Sequence, residues 1–578
     1  MTSAGNPEIS RRWVLGAGAA GLSALGAASV SRARADALGD QGLTAREVAE
    51  AEEVAGVAYS KAERAQMLPT LADQLESIRM LRTLEKPNNL QPASVFNPRV
   101  PGVTYATQSD AVTAGALPSA EAPGSDEDVA FAPVWRQRQW LDAGVLSSRQ
   151  LTDIYLARIE RIGPILECFI SVTVERARTE ADSADREMRA GRHRGALHGI
   201  PYGLKDLFDA EGAPTTWGGE PWMNRAPATA DCIVAARLKD AGAVLLGKTT
   251  TGAIAYGDVW FNGKTRNPWN VEEGSSGSSA GSASATAAGL VSFGIGTETM
   301  GSIISPSNRC GTAGLRPTFG RTPRSGAMAL CWSLDKVGAL TRDVLDAAFV
   351  LDAIKGADIS DASSFDHGFA YDGGADARGL RVGYDPAWFE EAGAHDRAAL
   401  EAARAAGATL VETRMPDLPS QVFGLALLAE SAAAFEELTL SNKDDTLDWQ
   451  ADAAWPNTFR AARFITAVDY IQVDRVRRRA MHEMHEWFSS FDAMIGPNFA
   501  GGMLTVTNFT GQPQLAFRSG FEDTPTRTLF GVPIEGAPSS RVPMASSLWA
   551  PLFEERTLIR LGRAIQRELG VAEERPRL

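Results

Sequence analysis

The segment Gly274-Ser275-Ser276-Gly277-Ser278-Ser279-Ala280-Gly281-Ser282 constrains this 578-residue chain more than any other. It runs into an Ala-rich stretch that ends at Leu290, and a second small-residue cluster follows, Gly296-Thr297-Glu298-Thr299-Met300-Gly301-Ser302-Ile303. Gly/Ser-rich sequence usually serves as a flexible tether. Here it stands between apolar runs in mid-chain, where mobile backbone with unpaired polar groups is costly to bury. Tight turns and close backbone approach account for it better. The neighbouring runs Ala243-Val244-Leu245-Leu246 and Leu290-Val291-Ser292-Phe293-Gly294-Ile295 read as buried strands. Between residues 129 and 569 such runs alternate with helical patterns, which predicts an α/β domain around a buried sheet. Helices are predicted over 147–162, where Leu151, Ile154, Tyr155 and Ile162 share a face, and over 555–569, where Leu558, Leu561 and Ile565 do. No internal repeat is evident.

The amino-terminal quarter is of a different kind. Ser10-Arg11-Arg12-Trp13-Val14-Leu15 is similar to a twin-arginine export motif, and a Gly/Ala-rich, weakly apolar run continues to Val30. Ala33-Arg34-Ala35 supplies the small-x-small pattern of a cleavage site, so residues 1–35 read as a signal peptide and the mature chain as periplasmic or secreted. The run is too short and too rich in Gly, Ala and Ser to span the ~30 Å hydrocarbon layer. Helical spacing at Leu68, Leu71, Leu75, Ile78 and Leu81 predicts two or three helices over 43–84. Six prolines between Pro87 and Pro123 predict an extended linker or surface strap up to residue 128. The expected organisation is a signal peptide (1–35), a helical extension and linker (36–128), a catalytic domain (129–569) and a tail (570–578).

A formal net charge of −14 argues against a nucleic-acid partner, which clustered Lys and Arg would grip. Cys168, Cys232, Cys310 and Cys331 form no CxxC pair, and a disulfide among them is unsupported. His482 and His485 are three residues apart, unlike the i,i+4 pair of an HExxH zinc helix, and read as a solvated helix face.

Five blocks in order then carry a resemblance. They are His198-Gly199-Ile200-Pro201-Tyr202-Gly203-Leu204-Lys205-Asp206 with Thr215-Thr216; Asn267-Pro268-Trp269-Asn270 leading into the serine loop; the loop itself with Gly296 to Ile303; Cys310 to Thr318 with Ser333-Leu334-Asp335, Gly338 and Arg342; and Asn508 with Gly511-Gln512-Pro513. Together they resemble the amidase signature family over roughly residues 130–569. The resemblance implies the family's α/β fold, a central twisted mixed sheet flanked by helices, here with an amino-terminal helical extension. It implies a Ser-Ser-Lys triad in which Ser302 is the nucleophile, Ser278 the bridging serine, 24 residues earlier, and Lys205 the base. Lys205 serves only if uncharged, which requires burial. A cis peptide between Gly277 and Ser278 is implied, and an oxyanion hole of backbone N–H groups from Thr299, Met300, Gly301 and Ser302. No metal or organic cofactor is called for.

Each residue also has a plainer reading. Lys205 could lie at the surface or pair with Asp206 or Glu298; Ser278 and Ser302 could satisfy turn backbone. Glu298 reads as structural and His198 as packed. Met300 stands where the family has Gly or Asp, Ile304 where it often has Arg, and Trp217 and Gly219 replace Ala and Ser, so the pocket wall is where this chain departs from the pattern. Gly277, Trp217 and Trp332 are candidate pocket residues, with Trp222, Trp260 and Trp269 suiting an aromatic substrate or the core.

The expected activity is that of an exported amidase cleaving a carboxylic amide, other than an ordinary peptide bond, to acid and amine or ammonia through a seryl acyl-enzyme. The substrate is a small amide or an amidated peptide, with a weak leaning to the peptide-amidase branch. The alternatives are an esterase or urethanase on the same triad, an amidotransferase A-type subunit, and a non-catalytic binding scaffold. The partners expected are the substrate and, during export, the twin-arginine translocase; a homodimer is left open.

Overall fold

The computed structural model describes residues 43–119 and 121–578, so the twin-arginine segment lies outside the described residues. The chain divides into two compact units after Lys86. The first contains two helices, Ala45–Ala55 and Lys61–Thr83. Each begins with a capping box, Thr44 with Glu47 and Ser60 with Glu63, which satisfies the first free amide groups. Arg64 clasps Glu52 through two hydrogen bonds, of 2.8 and 2.7 Å, and ties the pair together.

The stretch expected as a linker belongs to the second unit, which begins at Pro87 rather than at residue 129. Prolines hold most of it extended with few hydrogen bonds of its own, such as that from the Leu90 N–H to the Pro87 carbonyl at 2.9 Å, so many of its polar groups find partners on the body beneath. The side chain of Asn88 pairs with Ala329 in both directions, accepting its N–H and donating to its carbonyl, each at 2.8 Å. Phe96 packs edge-on against Phe319, with ring centroids 5.0 Å apart. Ala111–Thr113 forms a short parallel pair with Ala370–Asp372. The tail is held too: Arg575 pairs with Asp128 at 2.9 Å.

The body is built on an eleven-stranded mixed sheet. In chain order the strands are β1 (Phe169–Val172), β2 (Pro201–Lys205), β3 (Val244–Thr249), β4 (Phe293–Glu298), β5 (Ala313–Arg316), β6 (Lys336–Thr341), β7 (Arg381–Tyr384), β8 (Thr409–Glu412), β9 (Ala493–Pro497), β10 (Gln514–Pro525) and β11 (Ser539–Trp549). Across the sheet they run β8-β7-β9-β11-β10-β5-β6-β4-β2-β3-β1. The neighbours β4, β2 and β3 are parallel, as are β9, β7 and β8, and the joins between and beyond these groups are antiparallel. Strands β2, β3, β4, β5 and β6 are buried at every position, as strands covered by helices on both faces must be.

The helix expected over 147–162 is Ser148–Leu166, capped by Ser147, with Leu151, Tyr155 and Ile162 buried; that over 555–569 is Glu555–Leu569. The Ala-rich run forms Ala280–Ala287, and the two apolar runs mark β3 and β4. Among the described residues, no helix is long and apolar enough to cross a membrane.

Candidate active site

Two adjacent parallel strands and one short helix converge on Lys205. It is the last residue of β2, and β4 beside it ends at Glu298, so both segments leave the sheet at the same edge. In open α/β sheets the carboxyl ends of parallel strands are where ligands bind. The Gly/Ser loop crosses that edge before entering the helix 280–287, which is buried throughout. Small residues permit this approach: a Cβ on Gly277 would meet the Gly257 carbonyl oxygen at 1.9 Å. The Gly277–Ser278 peptide is cis, as the resemblance implies. Nearby, Trp217, Ile254, Ala255 and Ser276 hold positive φ without being glycine, a strained arrangement that recurs at functional sites.

Lys205 is fully buried. Its Nζ lies 2.8 Å from Ser278 Oγ, 2.8 Å from Thr297 Oγ1 and 3.2 Å from Ser279 Oγ. The ion-pair reading of Lys205 does not hold, because both candidate carboxylates are engaged elsewhere. Asp206 pairs with Lys248 at 2.8 Å and accepts the Thr216 N–H; Glu298 accepts from Arg316 at 2.8 Å and from Asn508 at 2.9 Å. Burial holds the Lys205 amine well below the ordinary lysine range, against an opposing pull from the Asp335 and Glu298 carboxylates.

The proton positions follow from the partners. Ser279 Oγ donates to the Thr297 carbonyl at 3.1 Å and accepts the Thr297 N–H at 3.2 Å, so toward Lys205 it can only accept. With Thr297 Oγ1 accepting the second amine hydrogen, the single lone pair of a neutral Lys205 is left to the Ser278 hydroxyl. The cluster can therefore draw a proton from Ser278.

The loop 299–302 is pinned at both ends. Glu298 Oε2 accepts the N–H groups of Ile303 and Ile304 at 2.8 and 3.0 Å, folding the loop back over the strand end. Burial pushes Glu298 up, but Arg316 and the hydrogen bonds outweigh it and keep this carboxyl below its usual range. Thr299 Oγ1 donates to Asp335 at 2.6 Å, and Asp335 also accepts the N–H groups of Leu330 and Cys331. Gly301 turns the chain at φ +95°, a conformation that L side chains rarely adopt. The Ser302 carbonyl accepts the Ser279 N–H at 3.0 Å, locking the two serine loops together. Among the described residues, the N–H groups of Thr299, Met300, Gly301 and Ser302 donate to nothing, and the Ser302 hydroxyl makes no hydrogen bond. Four consecutive free backbone donors ending at a serine are the kind of group that receives the oxyanion of an attacked carbonyl.

The structure distributes the remaining candidates. Trp332 lines a cavity beside Thr299. Trp217 instead packs against Trp222, with centroids 4.8 Å apart, under the Arg225 guanidinium, and is not part of that cavity wall. The Met300 side chain is 40% exposed and does not line the same cavity. His198 is buried, 3.4 Å from Glu187, and packed as expected. The four cysteines are buried and free. Sequence reasoning recognised the motifs that contain Ser279, Thr297, Arg316, Asp335 and Asn508 but left all five without roles. The adjacency of Ser279 to Ser278 was the available signal; the others act across 18 to 210 residues of chain.

Known proteins share this architecture. The sequence pattern of the family described as Amidase matches residues 150–558. The A subunit of the glutamyl-tRNA(Gln) amidotransferase of Anaeromyxobacter dehalogenans is 33% identical over 470 residues, covering 74% of this chain and 94% of that protein. The peptide amidase of Stenotrophomonas maltophilia superposes with a TM-score of 0.64 at 29% identity, covering 77% of this chain and 98% of that one. A bacterial aryl acylamidase shares the fold, with a TM-score of 0.64 at 21% identity over 78% of this chain and all of that one. With the family pattern spanning most of the chain and the lysine and serine loops at one sheet edge, the chain belongs to the amidase signature family, hydrolases acting on amide C–N bonds.

Proposed function

We propose that this protein hydrolyses a carboxylic amide to acid and amine or ammonia, with Ser302 as nucleophile and Ser278 and Lys205 as its proton path. One observation carries the reading: a fully buried amine bonded to hydroxyls, with no carboxylate among the described residues at hydrogen-bond distance to keep it charged. Neutral Lys205 draws the Ser278 proton while Ser278 takes that of Ser302, whose oxygen attacks the carbonyl. The Thr299–Ser302 amide groups receive the oxyanion, each such donor being worth about 3 kcal/mol on the barrier. The proton returns through Ser278 to the leaving nitrogen, and water releases the acyl group by the same path. The Ser302 hydroxyl closes its bond to Ser278 when substrate is bound, as catalytic hydrogen bonds commonly do. Likeness to the peptide amidase favours a small amide or the carboxamide end of a peptide as substrate.

A second reading, transamidation with partner subunits, is favoured by the likeness to an amidotransferase of that kind. Ammonia release from simple amides by the isolated chain, without ATP or glutamine, supports hydrolysis; turnover only with added subunits supports transamidation. A fluorophosphonate is expected to label the protein on Ser302, with labelling lost in Ser302→Ala. We also propose export by the twin-arginine route, on the strength of Arg11-Arg12 and the following run. The exported form is then expected to begin at Asp36, which amino-terminal sequencing reads.

A further inference from the structure

A cavity of about 120 Å³ opens beside the proposed oxyanion loop, walled by Thr297 and Thr299 on one side and by Leu207, Met328, Trp332 and Gln91 on the others. That volume accommodates several waters or one small side chain. Its lining mixes apolar side chains with Arg324, Asp335 and Lys336, and two of the lining residues each carry an orphaned polar atom. The indole N–H of Trp332 and the Oε1 of Gln91 are buried and have no hydrogen-bond partner among the described residues. Buried donors and acceptors are almost always satisfied, so two such atoms at the wall of one cavity call for a ligand group that answers both.

Which atom of Gln91 is free is fixed by its neighbours. Gln91 Nε2 donates to Asp361 at 2.9 Å. The same carboxylate accepts from Arg324 Nε at 3.0 Å, and Arg324 Nη1 donates to the Trp332 carbonyl at 2.7 Å. Burial pushes Asp361 up, but Arg324 and Ser363 outweigh it and hold it well below the usual carboxylate range. An ionised Asp361 accepts only, so the amide nitrogen of Gln91 must face it and the carbonyl is left for the cavity. The network thus ties the proline-rich strap to the segment that follows the two serine loops, and leaves one acceptor and one donor on residues that line the same cavity.

The direction of the cavity identifies the part of the substrate that enters it. In the proposed mechanism the leaving nitrogen lies beside Ser278, which returns its proton, and the carbonyl oxygen faces the 299–302 amide groups. The acyl substituent therefore points away from Ser278. The cavity wall includes Thr299 and none of residues 274–282. Arg324, Asp335 and Lys336 also line it, but the Arg324 guanidinium is committed to Asp361 and the Trp332 carbonyl and burial holds the Lys336 amine well below its ordinary range, which disfavours recognition of an anionic tip.

We propose that this cavity is an acyl-side subsite selecting amides whose acyl chain ends in a neutral group that both accepts and donates, a carboxamide or a hydroxyl, with Trp332 and Gln91 as the residues that read it. The inference rests on the hydrolytic reading of the same site. Gln91 belongs to the strap that precedes the region matched by the family pattern, so the selectivity is a property that this chain adds to the shared catalytic body.

The test uses four amides of matched length: hexanamide, 5-hydroxypentanamide, glutaramide and glutaramate, the last bearing a carboxylate tip. The full chain is expected to favour 5-hydroxypentanamide and glutaramide over hexanamide by about tenfold in kcat/KM, and glutaramate least. In Gln91→Leu and in Trp332→Phe the hydroxyl-to-methyl ratio is expected to fall toward one. Binding to Ser302→Ala by calorimetry reads the same preference without turnover. Equal use of hexanamide and 5-hydroxypentanamide, preference for glutaramate, or an unchanged ratio in both variants overturns the subsite. Absence of hydrolysis of all four amides, with the tip preference retained in binding, overturns the hydrolytic reading alone; absence of both overturns this inference.

Discussion

Lys205 and Lys248 are both fully buried, on neighbouring parallel strands, yet their surroundings differ in one respect. Lys248 faces Asp206 at 2.8 Å and donates to Thr215 Oγ1, making one half of a buried ion pair. Among the described residues the Lys205 amine bonds to hydroxyls alone. Burial alone therefore does not make a lysine a base. A countercharge at hydrogen-bond distance favours the ammonium, whereas hydroxyl partners leave desolvation unopposed at close range and favour the amine. The sheet thus carries an ion-paired lysine and, in the proposed mechanism, a basic one side by side, distinguished by who stands opposite.

The contrast breaks most visibly in the substitution of each lysine by methionine. Lys205→Met is expected to lower kcat/KM by at least about 10³-fold, because the serine relay loses its proton acceptor, while the fold survives. Activity within tenfold of the parent, in a chain with unchanged circular dichroism, removes Lys205 from the chemistry. Lys248→Met is expected to do the reverse. It strands the Asp206 carboxylate in the core and lowers unfolding free energy by about 3–5 kcal/mol in denaturant titration. A neutral effect there means that Asp206 is not charged, and the proposed distinction between the two lysines is lost.

The pH profile sharpens the same comparison with a smaller effect. The competent form of Lys205 is the neutral amine, and its folded pKa is depressed. Activity is therefore present above that pKa and falls, by up to about tenfold per unit, as pH drops through it. The acid limb of kcat/KM is expected well below the ordinary lysine value of ~10.4, and to be absent from the residual activity of Lys205→Met. A limb at the ordinary value indicates a solvated amine.

Much of this molecule is legible in its sequence, and the reason is local. Strands β3 and β4 are apolar runs bounded by turns, the helix 555–569 has a regular apolar face, and the Gly/Ser loop needs small residues because backbone passes within contact distance there. Lys205, Ser278 and Ser302 stand in recognisable short motifs, so the meeting of Lys205 with Ser278 and the joining of the two serine loops could be expected before any coordinates. The strap is less legible. Its prolines announce extended chain but not what it lies upon, and only the fold reveals that Asn88 and Gln91 are fastened to Ala329 and Asp361.

What the amino-acid order determined by itself is the menu of elements and the motifs in which the proposed reactive groups stand, since periodicity, small residues and motif spacing are properties of neighbouring positions. What required the tertiary structure is the electrostatic state of those groups. Whether a lysine is paired, which atom of Gln91 stays free, and which carboxylate pins the 299–302 loop depend on residues brought together from far along the chain. Desolvation and Coulomb interaction act through space, over a few ångströms, and take no account of sequence distance.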